Sequence, residues 1–220
     1  MVIDVIRAFT TAVAVIDRPA ASVHCVGGLD EARELARWLP GSLLVREERG
    51  LRPAGFDAGN SPFDLIDLDL VDRPVVQRTS NGTRGLIHFR SAPVLLAAAA
   101  ANAGATGRWV RALDPRSVMI VGTGITAEDR ACGAFIAAVI DGGRSDPIGL
   151  SEAIRGTAPE HIAWWSRTRD AAELDAFNAD VEACSRVDVS TTVLRGRIDG
   201  NAVVLRAVER EPAGSPVDVG

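Results

Sequence analysis

The stretch VIDVIRAFTT, residues 2–11, begins as an apolar run and then places a carboxylate and an arginine close together. The aliphatic, β-branched residues at 2–5 predict a strand. Asp4 comes where this strand gives way to a turn, so its carboxylate should lie at the carboxyl edge of a sheet, where open α/β sheets bind ligands. The opening of the chain therefore predicts a sheet with a polar site at its edge.

Short aliphatic runs of the same kind recur along the chain and alternate with helical stretches, which predicts an α/β sheet with helices on both faces. In the first predicted helix, Leu35, Trp38 and Leu39 share one face that should pack on the sheet. Thr126 is the expected N-cap of a later helix. The predicted strands are 2–5, 22–26, 43–46, 74–79, 94–98 and 117–121. The predicted helices are 30–39, 61–67, 83–89, 103–113, 127–140, 150–157, 159–168 and 171–186.

Two β-rich runs near the C-terminus, 191–198 and 201–208, flank Asp199-Gly200. This pair is a strong signal for a two-residue hairpin loop, so a C-terminal β-hairpin is expected. A chain of 220 residues suits one domain with a substantial core, and we predict a single α/β domain over residues 1–208. Residues 209–220 are rich in proline, glycine and acid and are expected to form a flexible tail.

Charge and composition exclude several classes of function. The formal net charge of −5 argues against a sequence-independent nucleic-acid binder, because such a protein needs a positive surface to displace counterions from phosphates. Every one of the 24 basic side chains is an arginine. A P-loop lysine and a Schiff base are therefore excluded, and arginine forks would have to bind any phosphate.

Cysteine and histidine form no recognisable cluster in the sequence. Cys25, Cys132 and Cys184 are far apart and in no CxxC pattern, so we expect small core residues of a reduced, cytoplasmic protein. The three histidines are too widely spread for a ligand set and are expected to be structural or exposed; they are His24, His88 and His161. The longest apolar run, residues 93–101, is too short to span a bilayer, and we expect no secretory leader because the first residues do not follow a basic-then-apolar pattern.

Glycine and anion-binding groups come together at residues 81–84. Asn81-Gly82-Thr83-Arg84 follows a predicted strand and opens a helix, so its free backbone amides and side-chain donors could hold a phosphoryl oxygen. An ordinary tight turn explains Asn-Gly as well. Arg7 could clamp a phosphate or sulfonate at two points. Asp4 could instead simply pair with Arg7 or cap the next helix.

Carboxylates accompany glycines in two further segments. Asp57 lies between glycines in GFDAGNSP, residues 55–62, where it could point a hard oxygen at a ligand. Ser61-Pro62 in the same string is equally a helix start. Glu128 and Asp129 follow Gly122-Thr123-Gly124 in a first helical turn. They could ligate magnesium there, or their negative charges could simply stabilise the helix through its dipole.

In this order the segments resemble the 2-phosphosulfolactate phosphatase family. The forms usual in that family are VIDVLRATTT, a GER-type turn followed by GFDxGNSP, TTNGTRAL, and a glycine-rich turn followed by an ED pair. The corresponding strings here are VIDVIRAFTT, VREERGLRPAGFDAGNSP, RTSNGTRGL and VGTGITAEDRACG. The resemblance covers residues 2–133 best, and GFDAGNSP and SNGTR at this spacing are its most specific strings.

The resemblance implies a three-layer α/β/α fold with a mixed sheet and Mg²⁺-dependent hydrolysis of a small anionic phosphomonoester. It implies no nucleic-acid or membrane partner and allows a homo-oligomer. The implied catalytic residues are Asp4, Arg7, Asp57, Arg84 and Glu128. The implied substrate-binding residues are Thr10, Thr11, Gly59, Asn60, Ser61, Asn81, Gly82, Thr83, Arg84, Gly122 and Gly124. The implied metal ligands are Asp4, Asp57, Glu128 and Asp129.

In the implied mechanism Mg²⁺ bridges carboxylates and the phosphoryl group, Arg7 and Arg84 neutralise developing charge, and water attacks in line. Which carboxylate orients the water stays open. A catalytically degenerate member that binds a small anionic metabolite is the alternative, as is an enzyme for another phosphoester.

Departures from the family pattern support these alternatives. Family members usually carry a strand and loop ahead of VIDVLRA, whereas this sequence begins directly before it, so either the recorded start is late or an edge strand is lost. Phe9 stands where the family form VIDVLRATTT has a threonine, so a hydroxyl group is absent at this position. Glu48 stands where the GER arginine is expected in ungapped register, although a shift by one would pair Glu48-Arg49 with that motif.

Overall fold

The computed structural model of the protein describes residues 1–47, 52–124, 126–166 and 170–208, apart from the side chains of Trp164 and Trp165. Within these residues, strands and helices alternate around one mixed sheet, which confirms the α/β fold. The strands are β1 (Val2–Ile3), β2 (Ser22–Cys25), β3 (Leu43–Arg46), β4 (Pro74–Arg78), β5 (Leu95–Ala98), β6 (Val121–Gly122), β7 (Leu194–Asp199) and β8 (Ala202–Ala207). The helices are α1 (Ala8–Asp17), α2 (Leu29–Trp38), α3 (Gly82–His88), α4 (Ala103–Leu113), α5 (Ala127–Ile140), α6 (Pro147–Gly156), α7 (Ala158–Trp165) and α8 (Ala171–Cys184).

The eight strands form one sheet in the order β3-β4-β2-β8-β7-β5-β1-β6. Pairing is parallel within β3-β4-β2 and within β5-β1-β6. Strands β7 and β8 are antiparallel to each other and to their outer neighbours. The predicted C-terminal hairpin is thus confirmed, and it lies inside the sheet between two parallel halves that run in opposite directions. Asp199 pairs with Ala202, and Gly200 in the loop has a φ of 58°, which favours glycine.

The side chains of β1 show that the sheet is covered on both faces. Val2 belongs to a buried cluster with Phe9 of α1 and Leu86 of α3. Ile3 belongs to a second cluster with Ile136 of α5 and Ile154 of α6. Successive side chains of a strand point to opposite faces, so the two clusters lie on opposite sides of the sheet. This arrangement confirms the three-layer α/β/α prediction.

Helix α1 is the main element that the sequence patterns miss. Its β-branched valines and threonines favour strands over helices. Most of its residues are nevertheless buried against the sheet, and packing of this kind supplies most of the stability of helices in proteins. Phe9, which departs from the hydroxyl usual in the family, is fully buried, so this substitution serves the core.

The helix predicted at residues 61–67 is wrong, because only a 3₁₀ turn over Phe63–Leu65 forms there. The guanidinium of Arg18 donates hydrogen bonds to the carbonyls of Leu65, Ile66 and Leu68. These carbonyls therefore need no amide partners from a continuing helix.

Smaller differences concern a strand and a helix face. The strand predicted at 117–121 is confined to Val121–Gly122. Leu35 and Leu39 pack on a buried cluster as expected, but Trp38 is 78% exposed.

The three cysteines are free and buried, as predicted. None of the described helices has the length and apolar character needed to cross a lipid bilayer. Glu48, Arg49 and the predicted tail 209–220 lie outside the described residues.

Phe9→Ala should lower the free energy of unfolding by about 3–5 kcal/mol, because it removes a fully buried ring and leaves a cavity in the core. Urea denaturation followed by circular dichroism measures the change. Phe63→Ala is the matched control, since Phe63 is 45% exposed and should change the same free energy by about 1 kcal/mol or less. Equal losses in the two variants would contradict the assignment of Phe9 to the core.

Candidate active site

Asp4 lies where three segments of the chain meet. It directly follows β1, and its carboxylate is buried. One carboxylate oxygen accepts a hydrogen bond from the backbone amide of Ala8, at the start of α1, over 2.9 Å. The other accepts one from the Thr123 hydroxyl, just after β6, over 3.2 Å. The backbone of Gly82, at the start of α3, also donates to this carboxylate.

The close approach of α3 to Asp4 explains why residue 82 is glycine. A Cβ atom at Gly82 would lie 2.7 Å from the Ala8 Cβ and 2.8 Å from Asp4 Oδ2. Both distances are shorter than real Cβ atoms tolerate. Gly85 is similarly confined, because a Cβ there would lie 2.6 Å from Thr123 Cγ2. The glycine in the predicted Asn81-Gly82-Thr83-Arg84 segment thus places that segment directly against Asp4.

Asp129 joins the segments that follow β1 and β6. Its Oδ1 accepts the amide of Val5 over 2.8 Å. Its Oδ2 accepts the amides of Thr123 and Gly124 over 2.9 and 2.7 Å. Glycine is also required at residue 122, since a Cβ there would lie 2.8 Å from the Asp129 Cβ. The predicted Gly122 and Gly124 therefore surround a predicted carboxylate.

Burial and mutual repulsion perturb the carboxylates of this site. Burial raises the pKa of Asp4 above its usual range. Burial, followed by the charge of Asp4, raises the pKa of Asp129 to about 7. A carboxyl group with a raised pKa gains stability from a proton or a cation, so the pair is suited to hold one.

Glu128 contributes a third carboxylate, on α5 next to Asp129. Its Oε1 accepts hydrogen bonds from the Thr126 hydroxyl and, at 3.2 Å, from Nε2 of His161 on α7 when that nitrogen carries the proton. Burial acts to raise the pKa of Glu128, but the hydrogen bonds from His161 and Thr126 outweigh it and the pKa is lowered. Oε2 is buried and accepts no hydrogen bond from any described residue.

Among the described residues, no group of three or more His, Cys, Asp or Glu side chains could hold a metal ion. A divalent cation at this site would therefore be held by one or two of these three carboxylates together with other ligands. Mg²⁺ does not require such a cage, because it is usually bound by one or two carboxylates together with waters and substrate phosphate. A buried carboxylate oxygen without a partner, Glu128 Oε2, fits that requirement.

Arg7 is held by a carboxylate that the sequence patterns miss. It forms a buried ion pair with Asp180 of α8. The second oxygen of Asp180 accepts a hydrogen bond from the Ser61 hydroxyl, also buried. Burial raises the pKa of Asp180, although the charge of Arg7 acts against this shift. Two predicted site residues, Arg7 and Ser61, are thus brought together through Asp180.

Several predicted substrate-binding residues form hydrogen bonds with other parts of the protein. The Thr10 hydroxyl donates to the Val5 carbonyl over 2.7 Å, and Thr83 exchanges hydrogen bonds with Thr79. Asn60 Oδ1 accepts from Gln77 over 3.0 Å. The Gly59 amide donates to Asp64 over 2.8 Å. By contrast, the hydroxyl of Thr11 is buried and has no hydrogen-bond partner within the described chain.

Apart from the glycines, three predicted site residues are exposed. Asn81 is the N-cap of α3, and Arg84 follows in its first turn. Asp57 accepts the amide of Leu44 over 2.8 Å, at the β3 edge of the sheet. The described contacts of Asp57 therefore tie it to β3 and do not bring it to the carboxylates of Asp4, Glu128 and Asp129.

A groove of about 510 Å³ adjoins one of the carboxylates, that of Asp129. Its lining includes Gly122, Gly124, Thr126 and Asp129, together with the exposed Arg130. The volume lies within the range of small-molecule sites.

Comparison with known proteins shows the family to which the chain belongs. The family model for 2-phosphosulpholactate phosphatase matches residues 1–197. The chain belongs to this family. The 2-phosphosulpholactate phosphatase match extends beyond the motifs at 2–133, and it includes the helices that carry His161 and Asp180.

Individual relatives carry the same family name. A "Probable 2-phosphosulfolactate phosphatase" of Synechococcus sp. (strain CC9605) is 33% identical over 84% of this chain and 74% of its own length. The protein of that name from Bacillus subtilis (strain 168) is 28% identical over 94% of this chain and 91% of its own length. That from Thermosynechococcus vestitus is 31% identical over 71% and 68%. The activity in these names is that of a phosphoric monoester hydrolase.

Gly82→Ala should lower the free energy of unfolding by about 1–3 kcal/mol, because the added methyl group would collide with Asp4 and Ala8. Gly156→Ala is the matched control, since a Cβ there meets nothing within 4 Å, and it should be neutral or stabilise by up to about 1 kcal/mol. Chemical denaturation of both variants gives the comparison. A Gly82→Ala protein as stable as the wild type would contradict the close approach of α3 to Asp4.

Proposed function

We propose that this protein hydrolyses a small anionic phosphomonoester of the 2-phosphosulfolactate type, with water, to a hydroxy acid and inorganic phosphate. The single observation that carries the proposal is the buried carboxylate cluster of Asp4, Glu128 and Asp129, assembled from the segments that also carry the family motifs. Membership of the 2-phosphosulpholactate phosphatase family supports the same reaction class.

We propose that Mg²⁺ is held by one or two of the carboxylates of Asp4, Glu128 and Asp129, together with waters and the substrate phosphate. When bound, the ion supplies charge neutralisation at the phosphoryl oxygens. The repulsion between Asp4 and Asp129 supports this assignment, because a cation would relieve it. Glu128 Oε2, the carboxylate oxygen without a partner, is available to a water molecule or to the ion. Asp57 stays a predicted ligand that no described contact brings to the cluster.

Arginines are proposed to bind the anionic groups of the substrate. Arg7 is fixed by Asp180, so its guanidinium is held in one orientation near the start of α1. Arg84 is exposed in the first turn of α3, beside the Gly82 backbone that contacts Asp4. A guanidinium can donate two parallel hydrogen bonds to a phosphate, a carboxylate or a sulfonate. Two separate arginines therefore favour a substrate with a second anionic group besides its phosphate.

Phosphate release from phosphorylated hydroxy acids and from their uncharged analogues tests the proposed function. Release should require Mg²⁺, because the chain has no lysine and its three cysteines are buried, and the carboxylates of Asp4, Glu128 and Asp129 would repel the phosphate unless a cation neutralised them. The doubly anionic substrates should give the higher kcat/KM. Chelation should abolish turnover, and added Mg²⁺ should restore it.

Full activity after exhaustive chelation would refute the metal-dependent mechanism. Equal kcat/KM for charged and uncharged substrates would refute the second anionic contact. Binding of these compounds without any turnover would instead support the alternative, a degenerate member that binds an anionic metabolite.

Arg84→Lys tests the role of the planar guanidinium, since the charge is kept and the two-point donor is lost. The expected loss is about 10²-fold in kcat/KM, or about 2.7 kcal/mol of transition-state stabilisation. Stability should be unchanged, because the side chain is exposed. Arg90→Lys, also exposed and just past the end of α3, is the control and should retain full activity. Retained activity with a sharp loss of stability in Arg84→Lys would show a structural role.

A further inference from the structure

His161 reaches the carboxylate cluster from a distant part of the chain. It lies on α7, and its Nε2 is 3.2 Å from Glu128 Oε1 and 3.2 Å from the Thr126 hydroxyl. Thr126 is the N-cap of α5, but its hydroxyl caps no backbone amide there. It donates to Glu128 Oε1 instead. Thr126 and His161 thus both act on one oxygen of Glu128.

The imidazole is confined on its other side by Phe177. The two rings are tilted by 54° with their centroids 5.5 Å apart. Phe177 belongs to the buried face of α8 and is itself 2% exposed. The His161 side chain is 17% exposed, so protein atoms enclose most of the ring. A side chain packed in this way has few alternative rotamers and can fix the group to which it is hydrogen bonded.

The hydrogen bonds to Oε1 also fix the position of the second carboxylate oxygen of Glu128, Oε2. With Oε1 engaged by Thr126 and His161, the carboxylate cannot turn without losing hydrogen bonds in a buried environment. Oε2 is then held in one position, buried and without a hydrogen-bond partner in the described structure. An unpaired buried oxygen is costly, so a position that keeps one calls for a ligand.

We propose that His161 is a positioning residue that fixes Glu128 so that Oε2 faces the ion or the water used in phosphoester hydrolysis. This inference rests on the function proposed above. It adds a residue from α7, outside the sequence motifs, to the working site. A purely structural role, in which His161 only ties α7 to α5, would affect stability and leave kcat unchanged.

The experiment compares His161→Leu with His161→Gln in the full chain. Leucine keeps the contact with Phe177 but cannot donate a hydrogen bond, whereas glutamine keeps a donor. We expect His161→Leu to lower kcat by about 10- to 100-fold with little change in KM, and His161→Gln to recover most of the loss. His88→Gln is the control, because His88 is exposed and contacts Phe89. It should behave as the wild type.

Calorimetric titration with Mg²⁺ alone gives a second readout that does not need turnover. His161→Leu should bind Mg²⁺ about tenfold or more weakly than the wild type, and His161→Gln should bind it almost as tightly. A folded His161→Leu protein with wild-type kcat and wild-type Mg²⁺ affinity would overturn the inference. Equal losses in the leucine and glutamine variants would also overturn it, because they would indicate a packing role.

Failure of the proposed function is distinguishable from failure of this inference. A wild-type protein that binds Mg²⁺ but hydrolyses none of the phosphoesters refutes the function, and the Mg²⁺ affinities of the variants still decide the role of His161. If His161→Leu does not fold, His161→Met replaces it as the variant without a donor. Equal Mg²⁺ affinity in the methionine and glutamine variants would then overturn the inference.

Discussion

Two buried carboxylates, Asp4 and Asp129, add side-chain hydrogen bonds to the backbone pairing where the strands of the sheet are shortest. Strands β1 and β6 contain only two residues each, so few ladder hydrogen bonds hold them together. Beyond them, the amides of Val5 and Thr123 both donate to Asp129, and Thr123 also donates through its hydroxyl to Asp4. The candidate site residues at the starts of α1, α3 and α5 lie around this junction, because all three helices begin beside it.

The junction is electrostatically unfavourable without a partner. Burial raises the pKa of both Asp4 and Asp129, and the charge of Asp4 raises the pKa of Asp129 further. Backbone amides offset part of this cost, since each oxygen of both carboxylates accepts at least one hydrogen bond. Two neighbouring buried carboxylates lower the stability of the folded protein, so stability alone does not explain why both are present at this junction. Local conflicts of this kind are expected where a protein binds a ligand, and they support a cation as that ligand.

Much of this arrangement could be predicted because its signals are local. Asp4, Gly82 and Asp129 lie at strand ends or helix starts, and short-range rules place them there. Helix α1 could not be predicted, since burial of Phe9 and its neighbours overrides the strand preference of the β-branched residues. Asp180 and His161 lie in polar helices without a motif, and they meet Ser61 and Glu128 only through contacts spanning 119 and 33 residues. No local pattern encodes such contacts.

The two parallel halves of the sheet run in opposite directions, yet residues from both form the site. Gly82 follows β4 in one half and contacts Asp4, which follows β1 in the other. Four strands lie between β4 and β1 in the sheet, so this contact is made by the segments that follow the two strands and not by neighbouring strands. Asp180 links the same halves through Arg7 and Ser61. The hairpin β7–β8 supplies no candidate site residue, but it lies between the two halves of the sheet and pairs with both of them.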